Sequence, residues 1–217
     1  MEFKRTRVMG SSYVGLFAIT NDKLCFVPKG IEERAFKEIK ETLDVKVVKT
    51  SLYGSSLLSV FGKMNNKHIF LPAQTTPKEI EEIEKEIEVK LINTEMALGN
   101  LIAVNDNGAV VSKTLGDSVI KELQSAGLEV THTNVANVDV VGSSIVATSK
   151  GFVMNPNSSE EEVKKVQATL NVKGGFSTAN TGDVFIRNSV IANSKGVLAG
   201  DLTTGHELNH IDEALEG

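Results

Sequence analysis

The chain has no tryptophan, and its 217 residues include only nine phenylalanines and two tyrosines. Its core must therefore be packed from Val, Ile, Leu and Ala around small residues, with no aromatic platform for stacking bases. Cysteine is nearly missing as well. Cys25 stands alone, which excludes an internal disulfide and fits a reducing, cytoplasmic setting. The N-terminus lacks the apolar stretch of a signal peptide or membrane span. Basic residues are outnumbered, with a formal net charge of −5, so the surface is not coated for nonspecific phosphate binding and any RNA contact has to be local. No Gly-rich phosphate loop with its lysine is present, so nucleotide hydrolysis has no support. Nor is any stretch rich enough in Pro, or in Gly and Ser, to be a linker.

The sequence instead repeats itself. VGLFAITNDKLCFVP, LLSVFGKMNNKHIFLP, ALGNLIAVNDNGAVVS, VVGSSIVATSKGFVMNP and IRNSVIANSKGVLAG each read as an apolar strand, a short polar turn and a second apolar strand. Asn21, Asn65, Asn105, Thr148 and Asn193 mark equivalent turn positions, spaced by 44, 40, 43 and 45 residues. An amphipathic helix follows each hairpin, with its buried stripe on Ile31, Ala35, Ile39 and Leu43; on Ile80, Ile83 and Ile87; on Val119, Ile120 and Leu123; on Val163, Val166 and Leu170; and on Leu208, Ile211 and Leu215. Thr76 with Pro77 and Glu79, Ser159 with Glu162, and Thr204 with Glu207 have the spacing of helix N-caps and capping boxes. The acidic helix at 78–90 carries Glu and Lys as an ordinary solvated face.

A third extended segment follows four of the helices, at 45–50, 89–94, 128–135 and 172–176. The fifth helix has none before Gly217, whereas residues 2–9 form an extended run with no unit of their own. Donating that run to the fifth unit would close a ring and remove its open edges. The expected architecture is an α/β propeller of five-fold pseudosymmetry with helices outside, a single domain over 1–217. Its units are approximately 8–50, 51–94, 95–139, 140–183, and 184–217 completed by 2–7. A closed ring has no edge that must pair, so a monomer is expected. A Rossmann-like fold is disfavoured, because hairpins make antiparallel pairs rather than parallel crossovers.

Three features invite a chemical reading. His206-Glu207-Leu208-Asn209-His210 matches the zinc-protease H-E-x-x-H pattern, but both histidines point away from the stripe of Leu208, Ile211 and Leu215, and Glu207 has a competing role as the capping partner of Thr204. Cys25 lies within an apolar strand, where a free thiol behaves as a small hydrophobe. His68 and His132 occur singly in strands of different units. No catalytic, cofactor-binding or metal-binding residue is assigned. The small-residue patches Gly10-Ser11-Ser12, Gly54-Ser55-Ser56, Gly99-Asn100, Gly142-Ser143-Ser144 and Asn188-Ser189 stand near the entry to each first strand. They are read both as steric relief near an axis and as a polar rim for a partner.

ALGN at 97–100, NDNGA at 105–109, VGS at 141–143, ANSKG at 192–196, and TTG followed by EL at 203–208 resemble archaeal translation initiation factor six, in family order along essentially the whole chain. The resemblance implies the five-fold pentein fold. It also implies a noncatalytic factor that binds the large (50S-type) ribosomal subunit near ribosomal protein L14 (uL14) and the sarcin-ricin loop of its rRNA. Such a factor blocks joining of the small subunit and takes part in large-subunit biogenesis. Carried over by position, the ribosome-facing residues are Val60, Asn100, Ser143, Ser144, Val184 and Asn188, with no cofactor. Two positions depart from the family pattern. Asp201 is shifted by one residue in Gly200-Asp201-Leu202-Thr203-Thr204, and Ser59 stands where a glycine is usual, which predicts a small backbone difference there. The rival from another class is a guanidino-modifying enzyme of the same fold, such as an arginine deiminase or amidinotransferase. Those enzymes need a late nucleophilic cysteine, and this chain has none after residue 25.

Overall fold

The computed structural model describes residues 1–216. Among them, fifteen strands form five three-stranded sheets of one pattern. The chain opens with β1 (Glu2–Thr6) and a single 3₁₀ turn at Val14–Leu16, then enters β2 (Ile19–Thr20), β3 (Leu24–Pro28), α1 (Glu33–Leu43) and β4 (Lys46–Thr50). The second unit repeats this order as α2 (Leu58–Phe61), β5 (Lys63–Met64), β6 (His68–Pro72), α3 (Pro77–Glu84) and β7 (Glu88–Ile92). The third comprises α4 (Leu98–Leu101), β8 (Ile102–Val104), β9 (Gly108–Val111), α5 (Asp117–Ser125) and β10 (Glu129–His132). The fourth has α6 (Val141–Ser144), β11 (Ile145–Ala147), β12 (Gly151–Met154), α7 (Glu160–Leu170) and β13 (Lys173–Phe176). In the fifth, α8 (Ile186–Ser189), β14 (Val190–Ala192) and β15 (Gly196–Gly200) lead to α9 (Gly205–Glu216).

Within each unit the first two strands are antiparallel across the Asn or Thr turn, as their hairpin pattern predicts. The third strand, however, lies parallel to the second. A parallel neighbour needs a crossover, and the long helix supplies it. The first four units therefore each contain a parallel crossover beside the antiparallel hairpin, although such crossovers were expected only of a Rossmann-like fold. Strand β1 fills the third place of the fifth sheet, with Glu2 opposite Gly196 and Thr6 opposite Gly200. The inner strands touch in the succession β2, β5, β8, β11, β14, and β14 touches β2 again.

Side-chain chemistry at the hairpin turns links the units. The Asn21 carbonyl Oδ1 accepts from the N–H groups of Lys23 and Leu24, closing its own turn. Its Nδ2 donates to the backbone oxygen of Asn65 at 2.8 Å. Asn65 donates in the same way to Asn105 O, Asn105 to Thr148 O, and Asn193 to Asn21 O. Thr148 closes its turn with a hydroxyl but has no amide to pass on. Hydrophobic clusters sit between each sheet and its long helix. In the first, Ala35, Ile39 and Leu43 of α1 pack on Cys25 and Val27. No helix among the described residues is long and apolar enough to cross a membrane.

Candidate functional site

Each hairpin is entered through a single helical turn, where sequence reading expected continuous strand. The turns pack in succession: Val14–Leu16 on α2, α2 on α4, α4 on α6, α6 on α8, and α8 back on Val14–Leu16. Only small residues allow this approach at most contacts. A Cβ on Gly99 would stand 2.0 Å from Ser59 O, one on Gly142 2.2 Å from Gly99 O, and one on Gly15 1.9 Å from Arg187 O. Ser59 occupies the corresponding place in α2 without breaking the pattern, since α2 forms like its counterparts.

Four of the six residues expected at the site occupy one equivalent position, the third residue of α2, α4, α6 and α8: Val60, Asn100, Ser143 and Asn188. The structure thus gathers them around one mouth of the axis. Ser143 Oγ lies 3.3 Å from Asn100 Oδ1. Val60, Asn100 and Asn188 are half-buried, while Ser143 is nearly enclosed. Ser144 is fully buried and donates to Val140 O at 3.1 Å, so it presents no surface and supports the turn instead. Val184 lies apart from these, half-buried in the loop leading into α8.

The loops entering the short helices form the outer part of the same end. In four units an isolated antiparallel bridge closes a tight turn: Val8 with Ser11, Leu52 with Ser55, Val135 with Val138, and Ala179 with Asp183. Their corners have positive φ, at Met9 and Gly10, Tyr53 and Gly54, Ala136 and Asn137, and Asn180 and Thr181. A bulky residue such as Met or Tyr in this region is uncommon and strained. A glutamate from the first turn of the long helix that follows, or just before it, holds each of these four corners. Glu32 accepts from Met9 N, Glu79 from Gly54 N, Glu162 from Ala136 N, and Glu207 from Gly182 N. Met9, Tyr13, Tyr53, Met96 and Leu202 are all exposed at this end. Sequence reading missed these apolar residues, because single large hydrophobes in loops follow no period.

Two buried cations were missed as well. Arg187 stands where the other short turns have Gly15, Ser59, Gly99 and Gly142, and Lys63 interrupts an inner strand that is otherwise apolar. The guanidinium of Arg187 donates to Gly15 O, Val190 O and Ala18 O at 2.6, 3.1 and 2.9 Å. Burial draws its pKa down to about 10, so it stays charged at neutral pH. The signal in the sequence was a large basic residue breaking a small-residue column.

The residues with a tempting chemical reading have structural partners. Glu207 accepts from Thr204 N and Oγ1 at 2.8 and 3.0 Å and from Thr178 Oγ1 at 2.7 Å, and its own N–H donates to Thr204 Oγ1. That is a capping box tied to a neighbouring loop. His206 and His210 are exposed with ring centroids 4.2 Å apart. Burial pushes the Cys25 thiol up to about 12, leaving it protonated and poorly nucleophilic. His68 is half-buried, its Nε2 3.2 Å from Glu88, and His132 is exposed on an outer strand. Asp201, whose motif is shifted, accepts from Ser12 Oγ at 2.6 Å and Arg7 Nε at 2.7 Å, joining the first and fifth units.

A family model described as the eIF-6 family matches residues 3–214. The chain belongs to the eIF-6 family. Translation initiation factor 6 of Pyrococcus horikoshii is 34% identical over 99% of this chain and 99% of its own length. The protein of the same name from Thermoplasma acidophilum is 30% identical over 98% and 99%. Among solved structures, a mutant of DDAH from Pseudomonas aeruginosa complexed with citrulline aligns over 95% of this chain and 75% of that chain, at 12% identity and a TM-score of 0.46. Family membership and the names of these relatives point to a translation factor rather than an enzyme.

Proposed function

We propose that the chain is a translation initiation factor that binds the large ribosomal subunit through the short-helix end of its axis and sterically prevents joining of the small subunit. The observation that supports this surface is the exposed group Met9, Tyr13, Tyr53, Met96 and Leu202 around the polar rim of Asn100 and Asn188. Large apolar side chains gathered at one end of a molecule mark an interaction site. Asn100 both donates and accepts, which suits pairing with the exposed backbone of a ribosomal protein such as uL14, and Val60 adds apolar contact. A net charge of −5 limits contact with the sarcin-ricin loop to local points. A role in maturation of the large subunit is part of the same proposal, on the strength of the family resemblance.

Co-sedimentation of the purified protein with large subunits at near-physiological salt tests this reading, together with loss of subunit joining in its presence. Failure to travel with the subunit rejects it. Asn100→Ala should weaken binding about tenfold, the equivalent of one hydrogen bond of about 1.4 kcal/mol, while leaving the thermal unfolding midpoint in place. Unchanged affinity removes Asn100 from the surface.

A further inference from the structure

Below the short helices the inner strands enclose a cavity of about 30 Å³, lined by residues of all five units, among them Ile19, Ala103, Val146 and Ala192. Two of its lining residues are cations. Lys63 is 7% exposed and Arg187 9%, and both replace small or apolar residues at their equivalent positions. Lys63 Nζ has one hydrogen bond, to Ser59 Oγ at 3.4 Å, leaving two of its three donors unused. Arg187 spends three of its five donors on backbone oxygens. Among the described residues that line the cavity there is no Asp or Glu.

Asp22 and Asp106 line the adjoining chamber at the hairpin end of the axis. There Asn66 Nδ2 bridges both carboxylates at 2.7 Å, and Ser149 Oγ and Ser194 N also donate to Asp22. The residues Thr20, Met64, Val104, Ala147 and Ala192 line both chambers and stand between them. Two like charges thus face this cavity with no countercharge among the residues that line it. An uncompensated buried charge is expensive, and either Lys63 gives up its proton or an anion neutralises the pair. Burial and the nearby Arg187 both lower the pKa of Lys63, and an anion in the cavity would oppose both effects.

We propose that this axial cavity is an anion site, in which one small monovalent anion of the halide class sits between Lys63 and Arg187. Size selects the class. A water molecule needs about 10–15 Å³ of cavity volume, and the cavity's about 30 Å³ leaves room for an ion close to water in size, such as a halide. The site is distinct from the outer rim, and its role is to stabilise the inner turns on which the rim is built.

Equilibrium urea unfolding of the full chain tests the proposal in sodium chloride, sodium bromide and sodium gluconate at equal ionic strength, gluconate being too large for the cavity. Chloride and bromide should raise the unfolding midpoint over gluconate. At a hundred times the dissociation constant the folded-to-unfolded ratio should rise about a hundredfold. Lys63→Met should abolish the difference among salts and should be more stable than the wild type in gluconate. Crystals of the wild type grown in bromide should show an anomalous peak in the cavity within reach of both cations. A midpoint insensitive to the halide, an equal response in Lys63→Met, or a cavity holding only water overturns the proposal. Should Lys63→Met fail to fold, the wild-type salt comparison and the bromide peak decide it.

Discussion

Single residues carry most of the specificity of this structure, and glycine does so through the absence of a side chain. Gly99 lies where the backbone of α2 passes, and a Cβ there would meet Ser59 O at 2.0 Å. Gly99→Ala should therefore destabilise the protein by about 3 kcal/mol, since overpacking against backbone has no flexible neighbour to absorb it. Urea unfolding measures the loss. The equivalent change at Gly54 meets open space but has φ of 65°, and should cost only about 1 kcal/mol. Glu207 offers a test by pH. Burial opposes its ionisation, but the Thr204 N–H, the Thr178 hydroxyl and the Gly182 N–H outweigh it and hold its carboxyl below the ordinary value of 4.5. A depressed folded pKa contributes stability that is fully present above 4.5 and is lost as pH falls through the lowered value. From about pH 6 to about pH 3, the urea midpoint of the wild type should fall more steeply than that of Glu207→Gln. Parallel curves would show that the carboxylate does not stabilise the fold.

At the scale of elements, the long helices were legible because each carries a local record of its own. Apolar residues recur at three and four over two or more turns, and caps mark the starts. Thr76 and Ser159 both form the capping boxes that their spacing predicts. Ser159→Ala should cost about 1 kcal/mol in stability, read from thermal or urea unfolding. It should also loosen the corner at Ala136, because the Ser159 hydroxyl donates to one oxygen of Glu162 while the other accepts from Ala136 N. Amide exchange at Ala136 should quicken accordingly. The one-turn helices α2, α4, α6 and α8 were not legible. Four residues are too few for a helical period, and their Leu, Val and Ile suit a strand as well. What makes them helical is the neighbouring turn against which each is stacked.

Over the whole molecule, five copies of one motif are joined by a chain of amide hydrogen bonds that runs through Asn21, Asn65, Asn105 and Asn193 and lapses at Thr148. Thr148→Asn should supply the missing donor to Asn193 O. A gain of about 1 kcal/mol is expected from one added buried hydrogen bond, seen as a higher unfolding temperature. A lower temperature would mean that the turn needs the smaller hydroxyl, which donates to Gly151 O. The repeat, the five long helices and the role of Glu207 as a cap were determined by the sequence by itself, because spacing and periodicity are written within a few tens of residues. Tertiary structure alone decided the parallel third strands, the stacking of the short turns into one rim, the burial of Ser144, and the meeting of Lys63 with Arg187. Each of these joins residues far apart in the chain, and the free energy of such a contact depends on which neighbour arrives rather than on any local preference.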